Sequence, residues 1–324
     1  MKKLLLPNHI PQYYIYDVLH NDQNEFIIIM ASEIKPLQIE YCNNNIRTLF
    51  NCNICPHNHT CVYNLTAEYK ERITLVIDGM QIETNVNKYP VFKDENIFST
   101  MVKNEDSYIK QWIDFHFHIG ITRFIIYDNS DGDRSNLPLL LQDYITKGIV
   151  LLIKWSYPMR LPISGISGQT TQQNHSIYAF QNSKYIGLFD IDEYVNIQHD
   201  NNINELLENI IKNNNLDITN ISSIRLLNKF FYNPHNMPTD GNNFFKIVDC
   251  IPITKSGREK NFVIPKNVIT FSIHIVTSGL PMFTVNEKEA YFNHYYFLNK
   301  SGRGKIRTTE VDTSILRHLL KRIY

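Results

Sequence analysis

One segment constrains the fold more than any other: residues 97–127 read as strand, helix and strand in immediate succession. Ile97 to Val102 is a short apolar run that stops at Lys103-Asn104-Glu105-Asp106. Those polar residues open a helix predicted over Asp106 to Ile119, in which Ile109, Trp112, Ile113 and His116 recur at helical spacing. Gly120 is placed to end that helix in the left-handed conformation. A second apolar strand, Ile121 to Tyr127, then stops at Asp128-Asn129-Ser130-Asp131-Gly132. With a helix between them, the two strands are expected to be parallel neighbours.

The alternation continues. Leu139 to Thr146 and Gln169 to Gln181 read as helices, Ile149 to Trp155 and Tyr185 to Phe189 as strands, and the last strand runs into Asp190-Ile191-Asp192-Glu193. The expected architecture is α/β, an open and mostly parallel sheet flanked by helices. Sheets of this kind bind ligands beyond the carboxyl ends of their strands. Three polar clusters fall at those ends, Lys103–Asp106, Asp128–Asp133 and Asp190–Glu193, and are expected to converge on one edge. Upstream, residues 1–92 are expected to form a small β-rich module. Phe26 to Met30 and Ile73 to Ile77 are strand-like, and Asp78-Gly79 is a hairpin signal. A boundary near Pro90 leaves 93–324 as the second domain.

Composition removes some functions. Among 324 residues, 32 Lys and Arg balance 32 Asp and Glu, so no basic surplus exists to hold a nucleic-acid backbone. The longest apolar runs, Phe26–Ala31 and Ile149–Ile153, fall far short of the ~20 residues of a transmembrane helix. Met1-Lys2-Lys3-Leu4-Leu5-Leu6 opens like a signal peptide, but Pro7 and polar residues interrupt it, so a cytoplasmic protein is expected. Cys42, Cys52, Cys55 and Cys61 cluster with His57 and His59, which leaves two readings open: a tetrahedral zinc site or a disulfide staple.

The chemistry concentrates in Asp190 and Asp192. Two carboxylates at i and i+2 after an apolar strand can both reach a hard cation. A metal there bridges a diphosphate and neutralises charge as the nucleotide leaves. The competing reading is an acidic helix N-cap. Asp128, at the neighbouring strand tip, can accept from a pyrimidine N–H or a sugar hydroxyl, and Lys103 can meet a diphosphate. A phosphatase with an Asp-x-Asp nucleophile is disfavoured. It needs Ser or Thr soon after the second Asp, where this chain has Glu193 and Tyr194.

In order along the chain, Thr100–Glu105, Trp112-Ile113 with His116, Gly120, and Ile126–Ser130 resemble the opening of glycosyltransferase family 92, once called domain of unknown function 23. Trp155, Gln169-Thr170 with Asn174-His175, and Leu188–Tyr194 are similar to that family's middle blocks. Phe262–Pro265 with His274, and Asn293–Tyr296 with Lys300-Ser301, are similar to its last ones. The resemblance covers roughly residues 97–307. It implies a GT-A-like nucleotide-sugar transferase domain over 93–324, a Mn2+ (or Mg2+) cofactor, and inversion during hexosyl transfer. The acceptor is a glycan, protein or lipid. By the same resemblance Asp190 and Asp192 take the metal, with His274 or His294 as a third ligand. Lys103, Asn104, Glu105, Asp128, Ser130, Gln169 and Asp190 face the donor.

Inversion needs a base for the acceptor hydroxyl. Asp240, in the Gly-flanked loop Pro238-Thr239-Asp240-Gly241, is the first candidate, ahead of Asp249 and Glu259, with Glu193 a separate possibility. Two departures stand out. No membrane anchor is visible, and the acidic pair expected after Lys300-Ser301 is missing. The missing anchor and the Asn- and Ile-rich composition fit a bacterial or viral member. The alternative is a catalytically inactive carbohydrate-binding or scaffolding protein on the same fold.

Overall fold

A computed structural model describes residues 6–34, 37–55, 60–104, 106–131, 135–233, 237, 245–253, 257–295 and 309–320. Glu105, Asp240, His57, His59, Lys300 and Ser301 lie outside the described residues.

Eight strands come first: β1 (Ile15–His20), β2 (Glu25–Met30), β3 (Ile39–Asn43), β4 (Ile46–Leu49), β5 (Asn51–Ile54), β6 (Cys61–Thr66), β7 (Arg72–Ile77) and β8 (Met80–Asn85). They form two antiparallel four-stranded sheets, ordered β1-β2-β6-β5 and β4-β3-β7-β8. At the β7–β8 turn Asp78 and Gly79 both have positive φ, 49° and 86°, which suits a hairpin turn matched to strand twist. All five cysteines are free thiols, so the disulfide staple is not formed. Cys61 Sγ meets Ser32 Oγ at 3.2 Å, and Cys55 Sγ meets Thr277 Oγ1 at 3.5 Å.

The expected alternation follows: β9 (Asn96–Val102), α1 (Asp106–His118), β10 (Arg123–Asp128), α2 (Leu137–Leu140), α3 (Gln142–Thr146), β11 (Val150–Lys154), α4 (Ser167–Ala179) and β12 (Tyr185–Leu188). These four strands lie parallel in the order β11-β10-β9-β12. The single helix expected over 139–146 is two short ones that break at Leu141.

The rest of the chain supplies β13 (Glu193–Ile197), α5 (Ile203–Asn213), β14 (Ser223–Leu226), β15 (Asn228–Phe231), β16 (Asp249–Cys250), β17 (Lys260–Val263), β18 (Val268–Ser272), β19 (Ile275–Gly279), β20 (Met282–Thr284), β21 (Ala290–Tyr295), β22 (Glu310–Val311) and α6 (Leu316–Leu320). The large sheet continues β12-β17-β14-β20, with β17 antiparallel to both neighbours. A second sheet runs β13-β21-β15-β16-β22, and β18 pairs with β19. The result is α/β with a parallel-rich sheet flanked by helices, as the GT-A-like expectation required. Among the described residues no helix is long and apolar enough to cross a membrane.

Strand alternation divides the core. Phe98, Phe124 and Ile126 face Ile109, Trp112 and Ile113 of α1. On the other face, Ile97, Ile125 and Tyr127 pack with Trp155, with Ile177 of α4, and with Tyr16, Leu19, Ile27 and Val62 of the N-terminal sheet. Helix α4 is polar in sequence yet almost wholly buried. Buried polar groups need partners, and Gln172, Asn174 and His175 of α4 find them on neighbouring elements. Gln172 donates to Ser99 Oγ at 2.9 Å, and Asn174 both donates to and accepts from the Phe271 backbone. His175 lies 2.9 Å from Asp17 Oδ2 and 2.7 Å from the Tyr127 hydroxyl.

Candidate active site

The acidic segment Asp190-Ile191-Asp192-Glu193 is a tight turn that carries the chain from the large sheet into the second one. Glu193 N donates to Asp190 O at 3.1 Å, and Asp190 N donates to Glu193 Oε2 at 2.8 Å. Helix α1 pins the exit: Trp112 Nε1 donates to Glu193 O at 2.9 Å, and His116 Nε2 accepts from Val195 N at 3.3 Å. The i, i+4 spacing of Trp112 and His116 puts both on one helix face. Once β13 pairs antiparallel with β21, Glu193 stands directly opposite His294, and Tyr295 N donates to Asp192 O.

That register brings together three side chains that could hold a metal ion. Asp192, Glu193 and His294 each offer one donor atom, all within 4.8 Å of one another. His294 Nε2 is 3.5 Å from Asp192 Oδ2, and its Nδ1 is 3.7 Å from Glu193 Oε1. Two carboxylates with one imidazole suit a divalent ion that accepts both hard oxygen and borderline nitrogen.

Asp190 is engaged elsewhere. Lys260, at the head of β17, is only 1% exposed and places Nζ 2.7 Å from Asp190 Oδ2 and 3.1 Å from Glu193 Oε2. Gln169 Nε2 donates to the other Asp190 oxygen at 3.3 Å. Burial would lower the Lys260 pKa, but Asp190 and Glu193 outweigh it and hold the ammonium well above its ordinary value. Burial pushes Glu193 up to about 7 against the pull of Lys260, with Asp190 adding to the rise.

The candidate ligand His274 sits on the turn between β18 and β19, its Nδ1 3.1 Å from Glu259 O. Burial and then Lys260 lower its pKa to about 4, so the ring is neutral. Among the described residues His294 groups with Asp192 and Glu193, and neither His274 nor Asp190 belongs to that group.

A cavity of about 260 Å3 opens beyond the carboxyl ends of β9, β10 and β11, lined by Lys103, Asn129, Ser130, Asp131, Ser156, Tyr157 and Pro158. Lys103 pairs with Asp131 at 3.1 Å. Asp128 lies beneath it, 1% exposed, accepting from Ser130 N at 3.0 Å and pairing with Lys154 at 3.2 Å. Asn129 spends both amide hydrogens on Trp155 O (2.6 Å) and Tyr157 O (2.8 Å), which fixes its carboxamide. Its Oδ1, like Ser130 Oγ, is then buried without a hydrogen-bond partner. Such atoms are costly unless something pairs with them. Asn104 follows β9 in the left-handed conformation, φ 55°, and is exposed.

Of the sequence candidates, Lys103 and Ser130 thus share the cavity with Asp128 behind it. Gln169 joins Asp190, and Asp192 joins His294. The sequence pointed to neither Lys260 nor Lys154, reached Asn129 only as part of the Asp128–Asp133 cluster, and entertained Glu193 only as a base. A charged residue heading the apolar Phe262-Val263 strand was the available signal for Lys260.

Residues 98–320 match the family model described as glycosyltransferase family 92. A glycosyltransferase family 92 protein of Ricinus communis is 25% identical over 61% of this chain and 34% of its own length. One from Oryza sativa subsp. japonica is 24% identical over 34% of this chain and 18% of its own. The chain therefore spans about a third or less of the length of these curated relatives. Among solved structures, S. aureus TarS 1–349 in complex with UDP-GlcNAc aligns with 64% of this chain and 60% of that one, at 12% identity and a TM-score of 0.39. Mycobacterium tuberculosis glucosyl-3-phosphoglycerate synthase, in complex with Mn2+, UDP and glucosyl-3-phosphoglycerate, aligns with 48% and 47%, at 15% identity and a TM-score of 0.26.

Proposed function

Because this chain belongs to glycosyltransferase family 92, we propose that it is a metal-dependent glycosyltransferase. It moves a sugar, a hexose by family analogy, from a nucleotide-sugar donor to an acceptor hydroxyl with inversion. The observation that carries this reading is the meeting of Asp192, Glu193 and His294 within ligand distance, at the carboxyl-terminal side of a parallel sheet.

Asp192, Glu193 and His294 would hold the metal, and the imidazole favours Mn2+ over Mg2+. A bound ion there supplies Lewis-acid charge to the departing diphosphate. Asp190, oriented by Gln169 and Lys260, stands beside the triad on the donor side. Lys103, Asn129 and Ser130 line the cavity that would receive the nucleoside. Asp240, on the segment between β15 and β16, is the proposed base. Glu193 is a poor base, being 1% exposed and already bonded to Lys260. The acceptor is a hydroxyl of a glycan, protein or lipid.

The test is release of nucleoside diphosphate from a panel of nucleotide sugars with Mn2+. The wild type releases it, chelation stops the release, and Asp192→Ala lowers it by about 100-fold or more, the scale of losing metal-borne transition-state charge. Release unaffected by Asp192→Ala removes the metal assignment. No release from any donor favours the inactive carbohydrate-binding reading instead.

A further inference from the structure

The family match begins at residue 98, yet the β-rich module upstream of it reaches into the transferase domain with two buried carboxylates. Asp17 on β1 accepts from the Tyr89 hydroxyl at 2.6 Å and meets His175 of α4 at 2.9 Å. Glu33, just after β2 and 6% exposed, reaches the loop that joins β11 to α4. Its Oε1 accepts from Ile163 N at 2.9 Å. Its Oε2 accepts from Ser164 N at 2.8 Å and from Ser164 Oγ at 2.7 Å. Leu161 and Gly165 close the loop tip with reciprocal backbone hydrogen bonds of 2.8 and 3.0 Å, so the two amides point together at one carboxylate.

What that loop carries gives the contact its meaning. Its first residues, Ser156, Tyr157 and Pro158, form one wall of the cavity beyond β9 and β10. The Tyr157 hydroxyl donates to Tyr16 O at 2.8 Å, a second tie to the module. Asn129, which lines that cavity, is held through its carboxamide by the carbonyls of Trp155 and Tyr157. The far end of the loop runs into α4, where Gln169 orients Asp190. One loop therefore connects the nucleoside side of the site to the acidic turn, and its tip is fastened from outside the family domain.

We propose that the N-terminal module is a working part of the donor site, with Glu33 as the positioning residue that holds the 156–166 loop in its donor-binding shape. The proposal rests on the transferase reading above. Glu33 touches neither donor nor metal and acts through the loop. Charge-assisted hydrogen bonds to backbone amides are the stronger kind, so their removal frees the cavity wall before it disturbs the triad.

The experiment compares full-length wild type, Glu33→Ala and Glu33→Gln in two measurements. Hydrogen exchange across 156–166 reads the loop directly. Donor KM and kcat, or binding of UDP and GDP with Mn2+, read the site. Glu33→Ala is expected to speed exchange at Ile163 and Ser164 and to raise donor KM about tenfold, with kcat changed less than twofold. Tenfold is the scale of one such hydrogen bond. Glu33→Gln keeps one acceptor and recovers part of both effects. Unchanged exchange in both variants overturns the proposal, as does faster exchange with an unchanged donor KM. Should Glu33→Ala fail to fold, Glu33→Gln and Ser164→Ala carry the same comparison. If wild type neither binds nor turns over any nucleotide, the transferase reading itself fails, while the exchange data still report whether Glu33 orders the loop.

Discussion

With Lys260 Nζ 2.7 Å from Asp190 and 3.1 Å from Glu193, two of the three carboxylates in the 190–193 turn already share a resident positive charge. Asp192 shares its side of the turn with His294, whose Nε2 lies 3.5 Å from Asp192 Oδ2. Glu193 reports on this balance. Its pKa rises from the ordinary 4.5 to about 7 on folding, so the folded protein binds a proton that the unfolded chain releases. Its contribution to stability is fully present below about pH 4.5 and is lost as pH rises to about 7. Urea midpoints at pH 5.0 and 7.5 should show a smaller fall for Glu193→Gln than for wild type, and an identical fall would refute the shift. At this scale the sequence was legible in part. It exposed Asp190 and Asp192 because they follow a strand, and it left His274 and His294 as equals. The choice between them comes from the β13–β21 register, a pairing between distant parts of the chain that local pattern does not encode.

Helix α4 shows the same division at the level of elements. Its place was readable, 169–181 expected against Ser167–Ala179 observed. Its burial was not, because Ser-Gly-Gln-Thr-Thr-Gln-Gln-Asn-His-Ser carries no apolar stripe and reads as a solvated helix. Only the tertiary partners on Ser99, Phe271, Asp17 and Asp190 explain it. The helix start is also tightly fitted. A Cβ on Gly168 would lie 2.6 Å from Pro158 O and 2.8 Å from Met159 Cα, both backbone atoms that cannot swing away. Gly168→Ala should therefore displace the 156–166 loop and destabilise the protein by about 1–3 kcal/mol, the usual range for overpacking. An unchanged thermal midpoint together with unchanged donor affinity would contradict this. Turn chemistry, by contrast, was read directly: Asp78-Gly79 makes the expected hairpin between β7 and β8.

For the whole molecule, the parallel βαβ order followed from the alternation of apolar runs and helices, and the structure has it as β11-β10-β9-β12. What the alternation did not reveal is how the β-rich module is attached. Tyr16, Leu19, Ile27, Ile29 and Val62 share one apolar cluster with Ile97, Ile125, Tyr127 and Trp155. Strand pattern tells which residues are apolar but not which sheet they pack against. Removing residues 1–92 should leave that face uncovered and His175 without Asp17. The shortened chain is expected to bind a hydrophobic dye and to lack a cooperative thermal transition, whereas a sharp transition near that of the full chain would show two independent units.

The arrangement on which all of this depends is the Asp192–Glu193–His294 triad, and direct Mn2+ titration followed by the electron paramagnetic resonance of the free ion tests it without reference to any donor. Wild type and His274→Ala should bind one Mn2+ with similar affinity. Asp192→Ala and His294→Ala should each bind it at least about tenfold more weakly, the scale seen even for groups that only support a ligand. Equal binding by all four proteins, or loss of binding in His274→Ala alone, would contradict the assignment.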